Sequence, residues 1–243
     1  METTLMKKSF FGKCILIVIS VWITSVANAQ VPHGSYDTLL QNATNAITWD
    51  FQEDWAFTVK SSGSDGDWVG RFDPRQPENQ RWTLLTIDGR APSTKESADY
   101  AAEDHNFGAS DDGDGDDNAL DMVEPGTLQL VAETDDYWLM SFVPTDDDDD
   151  EVARKMMQSM LGTVKIMKDG EYLAYIKIHN DKPLRPKVGV KMKTFLMHMT
   201  FGPLDDGSIV MQTMEFAIKL SAYVMVRVNE AESLTFSDFE FAG

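Results

Sequence analysis

The last third of the chain limits its possible folds more than any other part. From Lys187 onward the segments KVGVKMKTFLMHMTF, SIVMQTMEFAIKL, AYVMVRV and SLTFSDFEF follow one another. Their apolar and polar residues alternate, or both faces are apolar. Period two marks a strand, because successive side chains leave opposite faces. The linkers GPLDDG and NEAE are short and rich in turn residues. Strands joined so closely pair antiparallel, since a parallel neighbour needs a crossover of about a dozen residues or more. TFLMHMTF is apolar on both faces over a full strand, which a sheet wetted on one side does not need. One of its faces must meet helices, a ligand or a second sheet.

The same period recurs upstream. Phe51, Trp55, Phe57 and Val59 alternate with Gln52, Asp54, Thr58 and Lys60, SSGSDGD is a turn, and WVGRF continues as a strand. TLQLVAE and DYWLMSFV are strands joined around Thr134 and Asp135. TVKIMKDGEYLAYIKI is a hairpin closing through Asp169-Gly170, a strong two-residue turn signal. Three segments switch to helical spacing. SYDTLLQNATNAI places Tyr36, Leu39, Leu40, Ala43 and Ile47 on one face. Ser93 and Glu96 form a capping box that opens STKESADYAAEDHNF. DEVARKMMQSMLG carries Val152, Met156, Met157, Met160 and Leu161 as its stripe, with Gly162 as its stop. The fold class is mainly β with α: about ten strands and three helices, without an internal repeat or a domain linker.

Residues 1–29 read as a cleaved secretory signal. Lys7, Lys8 and Lys13 form its charged start, CILIVISVWITSVA its apolar stretch, and Ala27-Asn28-Ala29 the small residues at the cleavage positions. The apolar stretch is shorter than the ~20 residues that span a bilayer, so no stable membrane anchor is expected. Residues 30–243 then form one domain in the periplasm. It has no cysteine, because Cys14 is the only one and lies in the signal. A thiol nucleophile, a disulfide and a Cys-ligated metal are therefore excluded from it. The whole chain carries a net charge of −19; the signal holds three lysines and Glu2, so its loss leaves −19 − 2 = −21. Such a charge repels phosphate backbones and anionic membrane faces, so nucleic acid is excluded as a partner.

Catalytic signatures are absent: no G-x-S-x-G elbow, no H-E-x-x-H, no phosphate loop and no dinucleotide fingerprint. His33, His105, His179 and His198 have no second His or Cys at ligand spacing. His198 lies in an apolar strand and reads as a satisfied core or wall histidine before a general base. SDDGDGDDNALDMVE fails as a calcium loop. Started at Asp112 it places Asp117 at position six and Val123 at twelve, and started at Asp114 it places Pro125 at twelve. The aspartates of 110–118 read as a solvated loop. Those of 146–150 precede a helix, where the unpaired N–H groups favour negative charge. No cofactor, no metal and no enzymatic activity are expected. Met192, Met197, Met199, Met211, Met214 and Met225 lie on strands, where adaptable side chains suit an irregular core and a variable apolar ligand equally.

RFDPRQPENQRWTLLTIDGRAP, Arg71 to Pro92, stands out for its three prolines, its Trp and its Asp-Gly. It reads as a polar crossing (Asp73 to Asn79), a strand (Trp82 to Ile87) and a turn at Asp88-Gly89 into the capped helix. This makes it scaffold at a strand-to-helix corner, and in second place rim. The signal, the N-terminal helix, the aromatic-rich strands, FDP…RWTLLTIDGRAP and the closing strands ending in SLTFSDFEF together resemble LolA-like periplasmic proteins, of the LolA/LolB-type lipoprotein carrier superfamily. The likeness spans roughly residues 35 to 241, with motif-level similarity over Arg71–Pro92 and Val188–Phe239. It implies an incomplete antiparallel β-barrel with an apolar concave face lidded by helices. In the classical carriers that face shelters lipoprotein acyl chains.

On such a shell, strand alternation turns Trp55, Phe57, Val59, Trp138, Met140, Phe142, Ile176, Val224 and Val226 inward as a candidate cavity wall; the same nine serve equally as core packing. The expected function is a periplasmic binding or carrier protein for a lipid or other hydrophobic ligand, with outer-membrane lipoprotein sorting as one form of that task. The alternative is a non-catalytic interaction or accessory module of the cell envelope. The expected partners are a lipid or acyl chain and envelope proteins.

Overall fold

A computed structural model describes residues 33–64, 66–102, 105, 120–145, 151–223 and 226–243, with backbone only for 33–35, 151–153 and 226. The expected signal peptide, the acidic stretches at 110–118 and 146–150, Val224 and Met225 lie outside the described residues. One compact unit runs from Val31 to Gly243.

The described residues open with helix α1 (His33–Asn45) and a single helical turn, α2 (Phe51–Asp54). Strands β1 (Trp55–Gly63), β2 (Gly66–Phe72) and β3 (Trp82–Ile87) follow, with a 3₁₀ turn at Glu78–Gln80 before β3. Helix α3 (Thr94–Ala102) precedes β4 (Gln129–Glu133) and β5 (Tyr137–Phe142), and α4 (Glu151–Met157) precedes β6 (Leu161–Met167) and β7 (Leu173–His179). Three long strands end the chain: β8 (Val190–Pro203), β9 (Ile209–Ala222) and β10 (Val226–Phe241).

All ten strands among the described residues belong to one antiparallel sheet in the order β3-β2-β1-β10-β9-β8-β7-β6-β5-β4. Each neighbouring pair is consecutive in sequence except β1 and β10, whose pairing joins the two ends of the chain. The two free edges, β3 and β4, are where a closed barrel would meet. The fold is therefore an incomplete barrel with helices, and its break falls where the chain leaves the sheet for α3.

Alternation explains which face is covered. Val59, Phe72, Met140, Val164, Ile176, Ile178 and Phe236 turn inward into one cluster, together with Tyr36, Leu40 and Ala43 from α1. These helical positions recur at one- and two-turn spacing, so one stripe of α1 enters the concave side. Ile47, past the helix end, bridges Ile209 on β9. At the other end α3 covers β2 and β3, with Tyr100 lying over Gly70. A Cβ on Gly70 would meet the Tyr100 Oη at once. The capping box is present: the Ser93 N–H donates to Glu96 Oε2 at 2.7 Å and the Glu96 N–H donates to Ser93 Oγ at 3.3 Å.

Ser93→Ala is expected to cost about 0.5–2 kcal/mol of stability, the usual worth of an N-cap, measured by denaturant unfolding. Side-chain hydrogen bonds from Arg90, then the Ser93 N–H, hold the Glu96 carboxyl well below the usual carboxylate range. A depressed folded-state pKa means that this contribution is present above the unfolded pKa and is lost as pH falls through the folded one. The stability difference between the wild type and Glu96→Gln should thus persist at neutral pH and vanish only in strong acid.

Four local expectations are corrected. Phe51 is in the helical turn α2, not in a strand; at four residues from Trp55 it still faces the same core, 5.0 Å from Phe57 between ring centroids. Asp169-Gly170 does not close a two-residue hairpin, because the Met167 N–H donates to the Tyr172 carbonyl and Gly170 and Glu171 both take positive φ within a longer loop. NEAE is not a linker. Asn229 to Glu232 pair with Lys219 to Phe216 inside a continuous β10, and the chain reverses instead at Tyr223, whose φ is 51°. Gly162 does not stop α4, which ends at Met157. It lies on β6 opposite Phe142, whose ring covers it.

The long strands outrun the rest of the sheet. β7 pairs with β8 only from Leu196 to Thr200, and β1 pairs with β10 only from Glu232 to Phe241. The ends of β8, β9 and β10 therefore form a three-stranded ribbon projecting past their neighbours.

Candidate functional site

The nine candidate wall residues divide into three groups. Trp55, Phe57, Val59, Met140, Phe142 and Ile176 are buried in the shared core. Trp138 is half-buried at the sheet edge; its Nε1 donates to Glu133 Oε1 at 3.1 Å and the Lys168 ammonium lies 4.8 Å from its ring. Val226 pairs with Ala222 at the start of β10, and Val224 lies outside the described residues. None of the seven with described side chains lines the clefts beside Trp82, the groove beside Trp68 or the cleft beside Lys193.

The inner face is less covered where the sheet runs out into the ribbon. Register places Met197 beside Ile178 on β7 and Phe216 on β9, Phe195 beside Ile218, and Met199 beside Met214. Ile178 and Met199 are buried, whereas Phe195, Met197, Met214, Phe216, Ile218 and Leu220 are only half-buried. Phe195 and Phe216 meet edge to face with centroids 6.0 Å apart. A groove of about 130 Å³ continues this strip toward Trp68 on β2, with Phe216, Glu230 and Glu232 in its lining. Glu232 is anchored there by the Ser61 hydroxyl, which donates to its Oε1 at 3.0 Å. The arrangement is an apolar strip with two carboxylates along one side, on the concave side of an unclosed barrel. The candidate wall read from the sequence omits this strip; period two in SIVMQTMEFAIKL groups Met214, Phe216, Ile218 and Leu220 on one face but says nothing of how far that face is covered.

The Arg71–Pro92 stretch lines two larger clefts at the strand-to-helix corner, about 630 and 490 Å³. Trp82 forms their inner wall, 4.8 Å from Phe72 and 4.7 Å from His105 between centroids. Gln52 donates from Nε2 to the His105 carbonyl at 3.3 Å. Glu53, Glu78 and Arg81 supply the charge. Nearby, the Arg75 side-chain hydrogen bond lowers the Asp73 pKa, and Arg71 pairs with Glu240 at 3.1 Å. This stretch is scaffold and rim together.

His198 is on the convex side, not in the core. Its Nδ1 lies 3.3 Å from Glu215 Oε2 and its ring packs edge-on against Tyr175. Burial raises the Tyr175 pKa. Among the described residues no group of three or more His, Cys, Asp or Glu is placed to hold a metal ion, and no helix is long and apolar enough to cross a membrane. No family model, no curated protein and no solved structure matches this chain.

Proposed function

We propose that this protein is a periplasmic, LolA-like carrier or binding protein for a lipid or another amphiphile. The observation that carries the reading is the half-covered strip Phe195–Met197–Met214–Phe216–Ile218 on the concave face of an incomplete barrel. Apolar side chains left half-wet on an otherwise packed inner face gain about 2.5 kcal/mol for each 100 Å² of apolar surface that a ligand removes from water. Methionine and phenylalanine side chains there adapt to chains of different length. Glu230 and Glu232 beside the strip favour a ligand whose polar end is neutral or cationic over a free fatty acid. Outer-membrane lipoprotein sorting is one task this reading admits.

The test is mass spectrometry of an organic extract of protein purified from periplasm without detergent, joined to displacement of a fluorescent apolar probe by phospholipid. A stoichiometric lipid is expected, with probe affinity falling at least tenfold in Phe216→Asp while far-ultraviolet dichroism is unchanged. An empty extract and no uptake of added phospholipid would sink the carrier reading. The corner clefts, rimmed by Glu53, Glu78 and Arg81, favour the second reading, an accessory module that docks an envelope protein.

A further inference from the structure

The whole-chain charge hides a local reversal of sign at the end of the projecting ribbon. Lys182, Arg185, Lys187, Lys191, Lys193, Lys219 and Arg227 gather there, seven of the 21 Lys and Arg in the sequence. Register sets Lys191, Ser221 and Arg227 in one cross-strand row and Lys219 beside Asn229 in the next. Lys193, which sits at a bulge in β8, lines a cleft of about 510 Å³ on the convex side together with Lys219, Ser221, Arg227 and Asn229 of these rows. None of its lining residues is acidic. None of the seven cations forms an ion pair among the described residues.

The apex between these cations is apolar and exposed. Val188 is 94% exposed and Tyr223 71%. They are held together rather than loose: the Tyr223 N–H donates to the Gly189 carbonyl, and the Tyr223 ring packs on Gly189 so closely that a Cβ there would lie 2.8 Å from it. Leu184 bridges Met192, so the segment carrying Lys182, Arg185 and Lys187 runs back along β8.

We propose that this apex docks the protein reversibly on an anionic membrane surface. Lys193, Lys219 and Arg227 would engage phosphate headgroups, and Val188 and Tyr223 would enter the interface. A valine standing almost bare among cations suits a lipid interface better than an acidic protein segment, which would meet the cations and leave the valine in water. Aromatic and aliphatic side chains settle at the headgroup level while cations pair with anionic lipid. Net charge does not forbid this. At ~0.1 M salt, charges more than about 10 Å away are screened, so the local patch decides the contact. The docking holds with or without a cargo on the concave strip.

Co-sedimentation of the purified protein with vesicles of phosphatidylglycerol mixed with phosphatidylcholine, against phosphatidylcholine alone, tests it. Binding to the anionic vesicles only is expected, weakening as salt rises. It should fall about tenfold or more when Lys193→Glu and Lys219→Glu are combined, at about 1 kcal/mol for each cation. Lys191→Glu with Arg227→Glu repeats the reading in a second fold-checked background. Val188→Ser with Tyr223→Asn, chosen because asparagine tolerates positive φ, should weaken binding but keep the salt dependence. Inorganic phosphate at matched ionic strength should not compete; full competition would reduce the site to a phosphate pocket and overturn membrane docking. Equal binding to both vesicle types, or anionic binding that both charge variants retain, also overturns it. So does capture of a polyaspartate peptide without vesicle binding, which assigns the face to an acidic protein partner.

Discussion

Phe57→Ala is expected to lower the free energy of unfolding by about 3–5 kcal/mol, the range for deleting a fully buried aromatic ring. Phe57 is completely buried and lies between 5.0 and 5.9 Å, centroid to centroid, from five rings: Phe51, Phe72, Trp82, Phe236 and Phe239. Those five come from α2, β2, β3 and β10, so the ring ties the N-terminal hairpins to the last strand across the β1–β10 junction. A domain typically has only about 5–15 kcal/mol in total. One substitution thus removes about a fifth of it at the least. Guanidinium unfolding with an unchanged slope would show lost packing, whereas a loss under 1 kcal/mol would mean that the surrounding rings close over the gap.

The second large effect turns on sign. In an open strand with ordinary φ, Gly→Ala stabilises by about 0.4–1 kcal/mol, because the unfolded chain loses freedom. Gly162→Ala is expected to do the opposite and destabilise by about 1–3 kcal/mol. Its new Cβ would lie 2.4–2.5 Å from three atoms of the Phe142 ring, which is buried and sits directly opposite on β5. The ring can yield only by disturbing the packed core. Phe142→Leu should relieve the clash, so the double variant is expected to show a coupling of about 0.5–3 kcal/mol in a double-mutant cycle. A stabilised Gly162→Ala would place the ring elsewhere.

Gly162 also shows how far local reading reached. After an amphipathic segment, glycine is the usual helix stop, and Met160-Leu161 continued the apolar spacing. The structure ends the helix at Met157 and gives Leu161–Met167 to the sheet, because pairing with β5 and β7 satisfies those backbone groups and hides Val164 and Ile166. The same competition made β10 continuous: NEAE carries turn-prone residues, yet hydrogen bonds to β9, and to β1 at Glu232, outweigh that preference.

Candidate-site residues were legible only in part. Alternation separates two faces but does not report what lies across from each, so Phe57 and Phe216 look alike in sequence. One is enclosed by α2 and its neighbours, and the other stands half-buried near the base of the ribbon. The basic apex was hidden for a related reason: a net charge sums over the surface, and segments far apart in sequence bring their lysines together only through register.

By itself, the sequence determined what depends on near neighbours. That covers the period-two strands, the antiparallel connections, the Ser93–Glu96 capping box, the Asp88-Gly89 turn and the mainly β composition. These follow from side-chain direction and from backbone groups satisfied within a few residues. Tertiary structure alone decided the β1–β10 pairing, the open gap between β3 and β4, the coverage of each inward residue and the gathering of charge at the apex. Each of these follows from contacts between segments far apart in sequence. The free energy of those contacts comes from burial and pairing that exist only after the chain has closed on itself.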